Sequence, residues 1–446
     1  MKNISTLILL LVSAITGYSQ ELAQRLDTLL QAYTSLYKFN GTVLVAKNGT
    51  IVLHKGYGYR NVAAGVQHDK YSVFQIGSVT KQFTTAVILK LQAAGKLNVQ
   101  EPISKYFPQY PKGDSITIEE LMLHTSGIYN YTNDRAFMEK EVSKPANREK
   151  MIALFSNKPL DFTPGTKWQY SNSAYLLLGY IIESVTGKPY EQVVRDYIFT
   201  PLQMTHSGFD FTHLQQKEKS TGYFAFNKKD TLPSIIVDSS VSFSAGAIYS
   251  TAEDLYRWHQ ALQHNKVLTV AQQEKAFTPV KNHYGYGWVI DSLYGKRVVS
   301  HGGGIHGFTS NFSRIAADDV CIILLCNTSS PVLDNISSNI YAALYNKPYE
   351  IPKKRIAITL PEEKLKQYTG EYKMNENWKV SLVVKNSELI ATPAGQSPKT
   401  LHAEKEDYFF AEDPEVQLRF TRNEKQEIDG FILYQNGAER KCQKIN

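Results

Sequence analysis

Phe74-Gln-Ile-Gly-Ser-Val-Thr-Lys81 opens the stretch on which the reading of this chain turns. Behind it, Thr80 to Ala94 is rich in helix formers and stops at Gly95, a residue suited to a left-handed C-cap, so Ser78 is predicted at the N-terminus of a helix. Positions i and i+3 share a helix face, which brings Lys81 Nζ within reach of Ser78 Oγ. A serine hydroxyl attacks a carbonyl only if something takes its proton, and a desolvated lysine has its pKa lowered enough to do so or to relay to a base. The helix dipole favours an oxyanion forming at Ser78.

One S-x-x-K is weak evidence, since Ser35-Leu-Tyr-Lys38 has the same form. Order and context add the rest. Thr163-Pro-Gly165 turns the chain before Tyr170-Ser-Asn172, which begins an apolar helix reaching Val185 and stopping at Thr186-Gly187. A phenol beside an ammonium has a depressed pKa and can shuttle protons, while Asn172 can position Lys81 or a substrate carbonyl. Tyr59-Arg-Asn61, Tyr131-Thr-Asn133 and Tyr434-Gln-Asn436 share the Y-x-N form without that setting. His301-Gly-Gly-Gly304 falls after the strand Val298 to Ser300, where glycines let a ligand lie against a strand edge and a backbone N–H can serve as an oxyanion donor. An H-G-G-G loop also occurs in α/β-hydrolases, but the chain has no G-x-S-x-G elbow.

The chain has 446 residues, 42% hydrophobic and 20% charged, with a net charge of +7, which predicts one large globular domain plus a smaller one. Its lysines are scattered among acids with no basic run, which argues against nucleic acid as a partner. There is no H-E-x-x-H and no paired C-x-x-C, so neither a metal nor a cofactor is expected. Residues 1–19 read as a secretory signal: a lysine near the start, the apolar run Leu7 to Ile15, and a small-residue region near Ser19. The mature protein is therefore expected in a periplasm or outside the cell. Three cysteines make no disulfide framework, and the strand period of two points Cys321 and Cys326 to opposite faces.

The order of elements is α+β. Glu21 to Phe39 has apolar residues at helical spacing, and Gly41 to Gly58 reads as a hairpin turning at Asn48-Gly49. Ser250-Thr-Ala-Glu253 reads as a capping box. Tyr286 to Val289, Val298 to Ser300, Thr309 to Ile315 and Val320 to Cys326 read as strands of an antiparallel sheet. A catalytic domain over 20–345 and a proline-bearing charged linker over 346–361 precede an all-β domain over 362–446, a sandwich or up-and-down barrel with turns at Asn386-Ser387, Pro393-Ala-Gly395 and Asn436-Gly437.

Taken with Leu121-Met-Leu-His-Thr-Ser-Gly127, Phe162-Thr-Pro-Gly165, Ser244-Ala-Gly-Ala247, Tyr249-Ser-Thr-Ala-Glu-Asp254 and His301-Gly-Gly-Gly-Ile-His-Gly-Phe308, these motifs resemble the serine β-lactamase and penicillin-binding family, in its class C branch. The resemblance spans residues 22 to 345. It implies a β-lactamase/transpeptidase-like fold: a helical subdomain beside an antiparallel sheet flanked by helices, with the site between them. By the same match Ser78 is the acylated nucleophile and Lys81 and Tyr170 the proton-transfer pair, the base among them left open. Asn172, His301, Gly303 and Gly304 are then substrate-binding, with the backbone N–H groups of Ser78 and Gly304 as the oxyanion hole.

The implied activity is an exported serine hydrolase acting on a D-amino-acid peptide, an ester or a related amide, with small molecules or short peptides, cell-wall peptides among them, as substrates. A class C β-lactamase and a non-catalytic penicillin- or peptidoglycan-binding sensor are the alternatives. The β-lactamases of the branch usually carry Lys-Thr-Gly where this chain has His301-Gly-Gly303, which shifts the expectation toward peptidases and esterases. A protonated imidazole there would still bind a carboxylate. The C-terminal segment, from Tyr368-Thr-Gly-Glu-Tyr372 onward, resembles the lipocalin-like domain often appended to such hydrolases.

Overall fold

The computed structural model describes residues 20–330, 332–376, 378–412, 415–435 and 438–445. The signal segment 1–19 and the Asn436-Gly437 turn lie outside the described residues. The chain divides into two compact units at Ile351 and Pro352, within the stretch read as a linker.

The first unit is organised by a six-stranded antiparallel sheet. Its strands are β1 (Gly41–Lys47), β2 (Thr50–Tyr57), β3 (Val289–Leu293), β4 (Lys296–Ile305), β5 (Phe308–Ile315) and β6 (Val320–Cys326), in the spatial order β2-β1-β6-β5-β4-β3. The β1–β2 hairpin turns on Asn48 (φ 51°) and Gly49 (φ 73°), the pair of left-handed residues that a tight primed turn requires.

β6 is buried at all seven positions because both faces of the sheet are covered. Cys321, Ile323 and Leu325 point into the larger core, built on the helices Thr80–Ala93 and Asn172–Thr186. Ile322, Leu324 and Cys326 point into a second core, closed by the helix over residues 20–35 and the helix Leu333–Leu344. The two cysteines therefore sit on opposite faces, as the strand period requires. The fold is α+β and β-lactamase/transpeptidase-like.

Four local readings change. The first helix ends at residue 35, short of Phe39, and Tyr37 beyond it is left-handed (φ 58°). The strand expected over Tyr286 to Val289 begins at Val289. The helix Ala252–Gln263 is capped by Thr251, whose side chain accepts from Asp254 N, so the Ser250 to Glu253 capping box is absent. His301 to Gly304 do not follow a strand; they are part of β4, where they pair with Phe312 to Thr309 of β5. β3 pairs with β4 only as far as Ser300, which leaves the His301 to Ile305 edge open toward the Ser78 turn. Glycine in a strand reads as a breaker, which is why β4 looked shorter in the sequence.

The second unit is a closed eight-stranded barrel in which each strand pairs with its neighbour in sequence, an up-and-down arrangement. Its core is aromatic: Tyr368, Tyr372, Phe409, Phe420 and Phe431 pack on one another. Alternation in the sequence marks five of these strands, over Trp378 to Lys385, Glu388 to Thr392, Tyr408 to Ala411, Val416 to Thr421 and Ile428 to Gln435; it does not mark Gly370–Asn375, Lys399–Lys405 and Ala438–Lys444, which are polar at alternate positions and carry few β-branched residues.

Candidate active site

Ser78 lies in a single 3₁₀ turn, Gly77–Val79, that leads directly into the helix Thr80–Ala93. The turn rests against β4. A Cβ on Gly77, itself left-handed at φ 50°, would stand 2.9 Å from Gly304 N, and one on Gly303 would stand 2.1 Å from the carbonyl oxygen of Ile76. Only glycines allow the two backbones to approach this closely. Ser310 of β5 fastens the contact by donating to the same Ile76 carbonyl at 2.8 Å.

Two side chains meet at Ser78. Lys81 Nζ is 3.0 Å from Ser78 Oγ, and the Tyr170 hydroxyl donates to that oxygen at 2.8 Å. Lys81 Nζ also donates to Asn172 Oδ1 at 2.9 Å and to the carbonyl oxygen of Ala245 at 2.7 Å. Lys81 is fully buried and has acceptors but, among the described residues, no carboxylate partner, so desolvation holds its pKa well below the ordinary lysine range. Asn172 begins the helix Asn172–Thr186, which Ser171 caps through Ala174 N. Its Nδ2 reaches Thr132 Oγ1 at 3.3 Å.

Tyr170 departs from expectation. Burial raises its phenol above the usual tyrosine range, and the hydrogen bond to Ser78 only partly offsets that. A depressed phenol would need a neighbouring cation, and a desolvated Lys81 is a poor one.

His301 departs further. Its ring is buried, with Nδ1 against the carbonyl oxygen of Gly302 and Nε2 at 2.9 Å from the Tyr284 hydroxyl. A carbonyl can only accept, so Nδ1 carries the proton and Nε2 accepts from Tyr284. Desolvation, with Lys81 nearby, pushes the ring pKa down to about 3. His301 is thus neutral and buried. The protonated form that would bind a carboxylate is disfavoured, because the ring is buried and has no acid beside it among the described residues.

A cavity of about 450 Å³ opens at Ser78, and Asn172, Ala245, Gly246 and Gly304 also line it. His301 and Gly303 stand behind its surface.

The motif reading assigned no role to His124, beside Tyr170, or to Ala245, beside Lys81. His124 accepts the Ser171 N–H on Nδ1 at 3.2 Å, and its own carbonyl accepts the Gln169 N–H at 3.0 Å, so it holds the chain on both sides of Tyr170. The His124 ring lies 4.2 Å from the Tyr170 ring, and its backbone is left-handed at φ 59°. Ala245 contributes only a carbonyl, which no side-chain pattern can reveal. Both residues do lie within motifs quoted above, which was the available signal.

Comparison with known proteins identifies the family. The family model described as Beta-lactamase matches residues 26–347. A putative penicillin-binding protein, PbpX, from Bacillus subtilis is 34% identical, over 69% of this chain and 75% of its own. The octameric penicillin-binding protein homologue from Pyrococcus abyssi superimposes with a TM-score of 0.68 at 23% identity, covering 94% of this chain and 99% of that one, and so is similar in fold. A D-stereospecific amidohydrolase from a Streptomyces species has a TM-score of 0.60 at 26% identity, covering 69% of this chain and 94% of that one. The chain belongs to the β-lactamase family of serine hydrolases.

Proposed function

We propose that the chain hydrolyses an ester or amide, such as a D-amino-acid derivative, through an acyl-enzyme on Ser78. The observation that carries this reading is the hydrogen bonding of Lys81. A neutral amine has two N–H groups and one lone pair. Asn172 Oδ1 and the Ala245 carbonyl take the two donors, which turns the lone pair toward Ser78.

In this reading Lys81 takes the Ser78 proton as Oγ bonds to the substrate carbonyl carbon. Tyr170, kept protonated by burial, steadies the charge on Oγ through its hydroxyl. The carbonyl oxygen becomes an oxyanion, for which the backbone N–H groups of Ser78 and Gly304 are the proposed donors. Collapse expels the leaving group, which takes the proton from Lys81, and the freed amine then activates the water that releases the acyl group. The likeness to a D-stereospecific amidohydrolase supports the substrate class.

Export belongs to the same proposal, on the strength of the apolar run Leu7 to Ile15. Mass spectrometry of the N-terminus in cell fractions tests it, with a mature start near residue 20 in the periplasm or medium as the expected result.

Labelling with a fluorophosphonate tests the chemistry. The native protein should label on Ser78 and Ser78→Ala should not; equal labelling of both would overturn the assignment.

A further inference from the structure

The cavity at Ser78 is uncharged. Among its described lining residues the only ionisable side chains besides Tyr131 belong to His306, and burial lowers the pKa of that ring. Lysine and arginine are absent from that lining. Several hydroxyls in the wall are already engaged: Tyr131 donates to the Val241 carbonyl at 3.0 Å, Thr309 to the Thr328 carbonyl at 2.8 Å and Ser242 to the Asp238 carbonyl at 3.4 Å. A substrate carboxylate entering here would lose its water and gain no cation, a costly exchange. His301 does not change this, since it is neutral and behind the wall.

The rest of the wall is apolar. Met138, Val237, Val241, Ile305 and Phe308 line the cavity. Beyond Met138 and Phe224, which both compartments share, a second hollow of about 590 Å³ continues outward under the hairpin formed by Tyr223–Phe226 and Thr231–Pro233. That hairpin and the segment after it leave large apolar side chains in water: Phe224 is 71% exposed, Leu232 54% and Ile235 48%. All three line the outer hollow, whose charged residues are Arg135 and Glu139. Exposed apolar side chains gathered at the mouth of a reactive site mark a surface that a ligand covers.

We infer that the site takes an uncharged acyl donor: an ester or amide with no carboxylate next to the scissile bond, bearing an extended apolar substituent that runs from Ser78 past Met138 to Phe224. This rests on the acyl-enzyme reading above and narrows its substrate. Hydrolysis places the acyl group on Ser78 Oγ with release of the alcohol or amine, and water then frees the acid.

Two matched comparisons test it on the full mature chain. The first sets N-acetyl-D-alanyl-D-alanine against its C-terminal carboxamide, and kcat/KM should favour the carboxamide at least tenfold. The second follows p-nitrophenyl acetate, butyrate and hexanoate, with kcat/KM rising at least threefold per step. Phe224→Ser, at a position exposed enough to leave folding intact, should shrink the hexanoate-to-acetate ratio at least threefold. Ile305→Lys, which sets a cation at the cavity wall, should narrow the carboxamide preference. A preference for the free carboxylate, or a flat chain-length series that Phe224→Ser does not alter, would overturn the inference while fluorophosphonate labelling of Ser78 left the acyl-enzyme reading standing. Absence of that labelling would remove both.

Discussion

The Lys81 amine and the Ala245 carbonyl oxygen are 2.7 Å apart inside the protein, and the helix that carries Ala245 is broken two residues earlier. Phe243 has φ 36° and ψ −132° within the Ser239–Gly246 helix, a conformation costly for a residue with a side chain. Beyond the break, the Ser244 and Ala245 carbonyls are turned onto Thr84 Oγ1 and Lys81 Nζ. The backbone strain thus accompanies the placement of the groups that hold the amine.

Replacing Lys81 by Met keeps the length of the side chain and removes the proton acceptor. The rate of Ser78 acylation by a p-nitrophenyl ester should fall by about 10²–10⁴-fold, the range typical of a general base. Stopped-flow release of p-nitrophenol measures it, and a loss below tenfold would place the base elsewhere.

The pH profile follows from two opposite shifts. Burial lowers the Lys81 pKa, so the reactive neutral amine is present above that lowered value and is lost as pH falls through it. Burial raises Tyr170, so its phenol stays protonated beyond the ordinary value of about 10. kcat/KM measured from pH 5 to 10 should therefore rise to a plateau starting well below the usual lysine range, with no alkaline decline. A decline before pH 9 would contradict the protonated phenol.

His124→Phe keeps a ring against Tyr170 but leaves the Ser171 N–H without its acceptor. An unpaired buried donor costs about 1–3 kcal/mol, and phenylalanine fits the left-handed backbone poorly. Urea unfolding should show a lower midpoint, and acylation should slow as Tyr170 loses its fixed position.

Gly303→Ala and Gly304→Ala differ by one position and should differ in kind. A Cβ at 303 collides with the Ile76 carbonyl, whereas a Cβ at 304 has open space around it among the described residues. Gly303→Ala should lower Tm and activity together, while Gly304→Ala should leave Tm close to that of the native chain, as differential scanning fluorimetry can show.

Much of this was legible in the chain because it depends on local spacing. The i, i+3 relation of Ser78 and Lys81 follows from helix geometry, and the alternation in Val320 to Cys326 gives the faces of the central strand. What escaped depends on tertiary surroundings. The direction of the Tyr170 shift and the neutrality of His301 are set by burial and by distant neighbours such as Tyr284. The extent of β4 escaped because its glycines, read locally, end a strand, whereas pairing with β5 carries it through to Ile305.

The separation of Cys321 and Cys326 onto opposite sides of one strand has a consequence for how the chain is made. With Cys442 buried in the barrel core, all three sulfurs are free thiols enclosed in three different cores. Burial raises their pKa values, that of Cys442 to about 11, so few thiolates form to react with an oxidant. The folded state therefore holds no disulfide, and none of its three cores calls for a thiol to be oxidised.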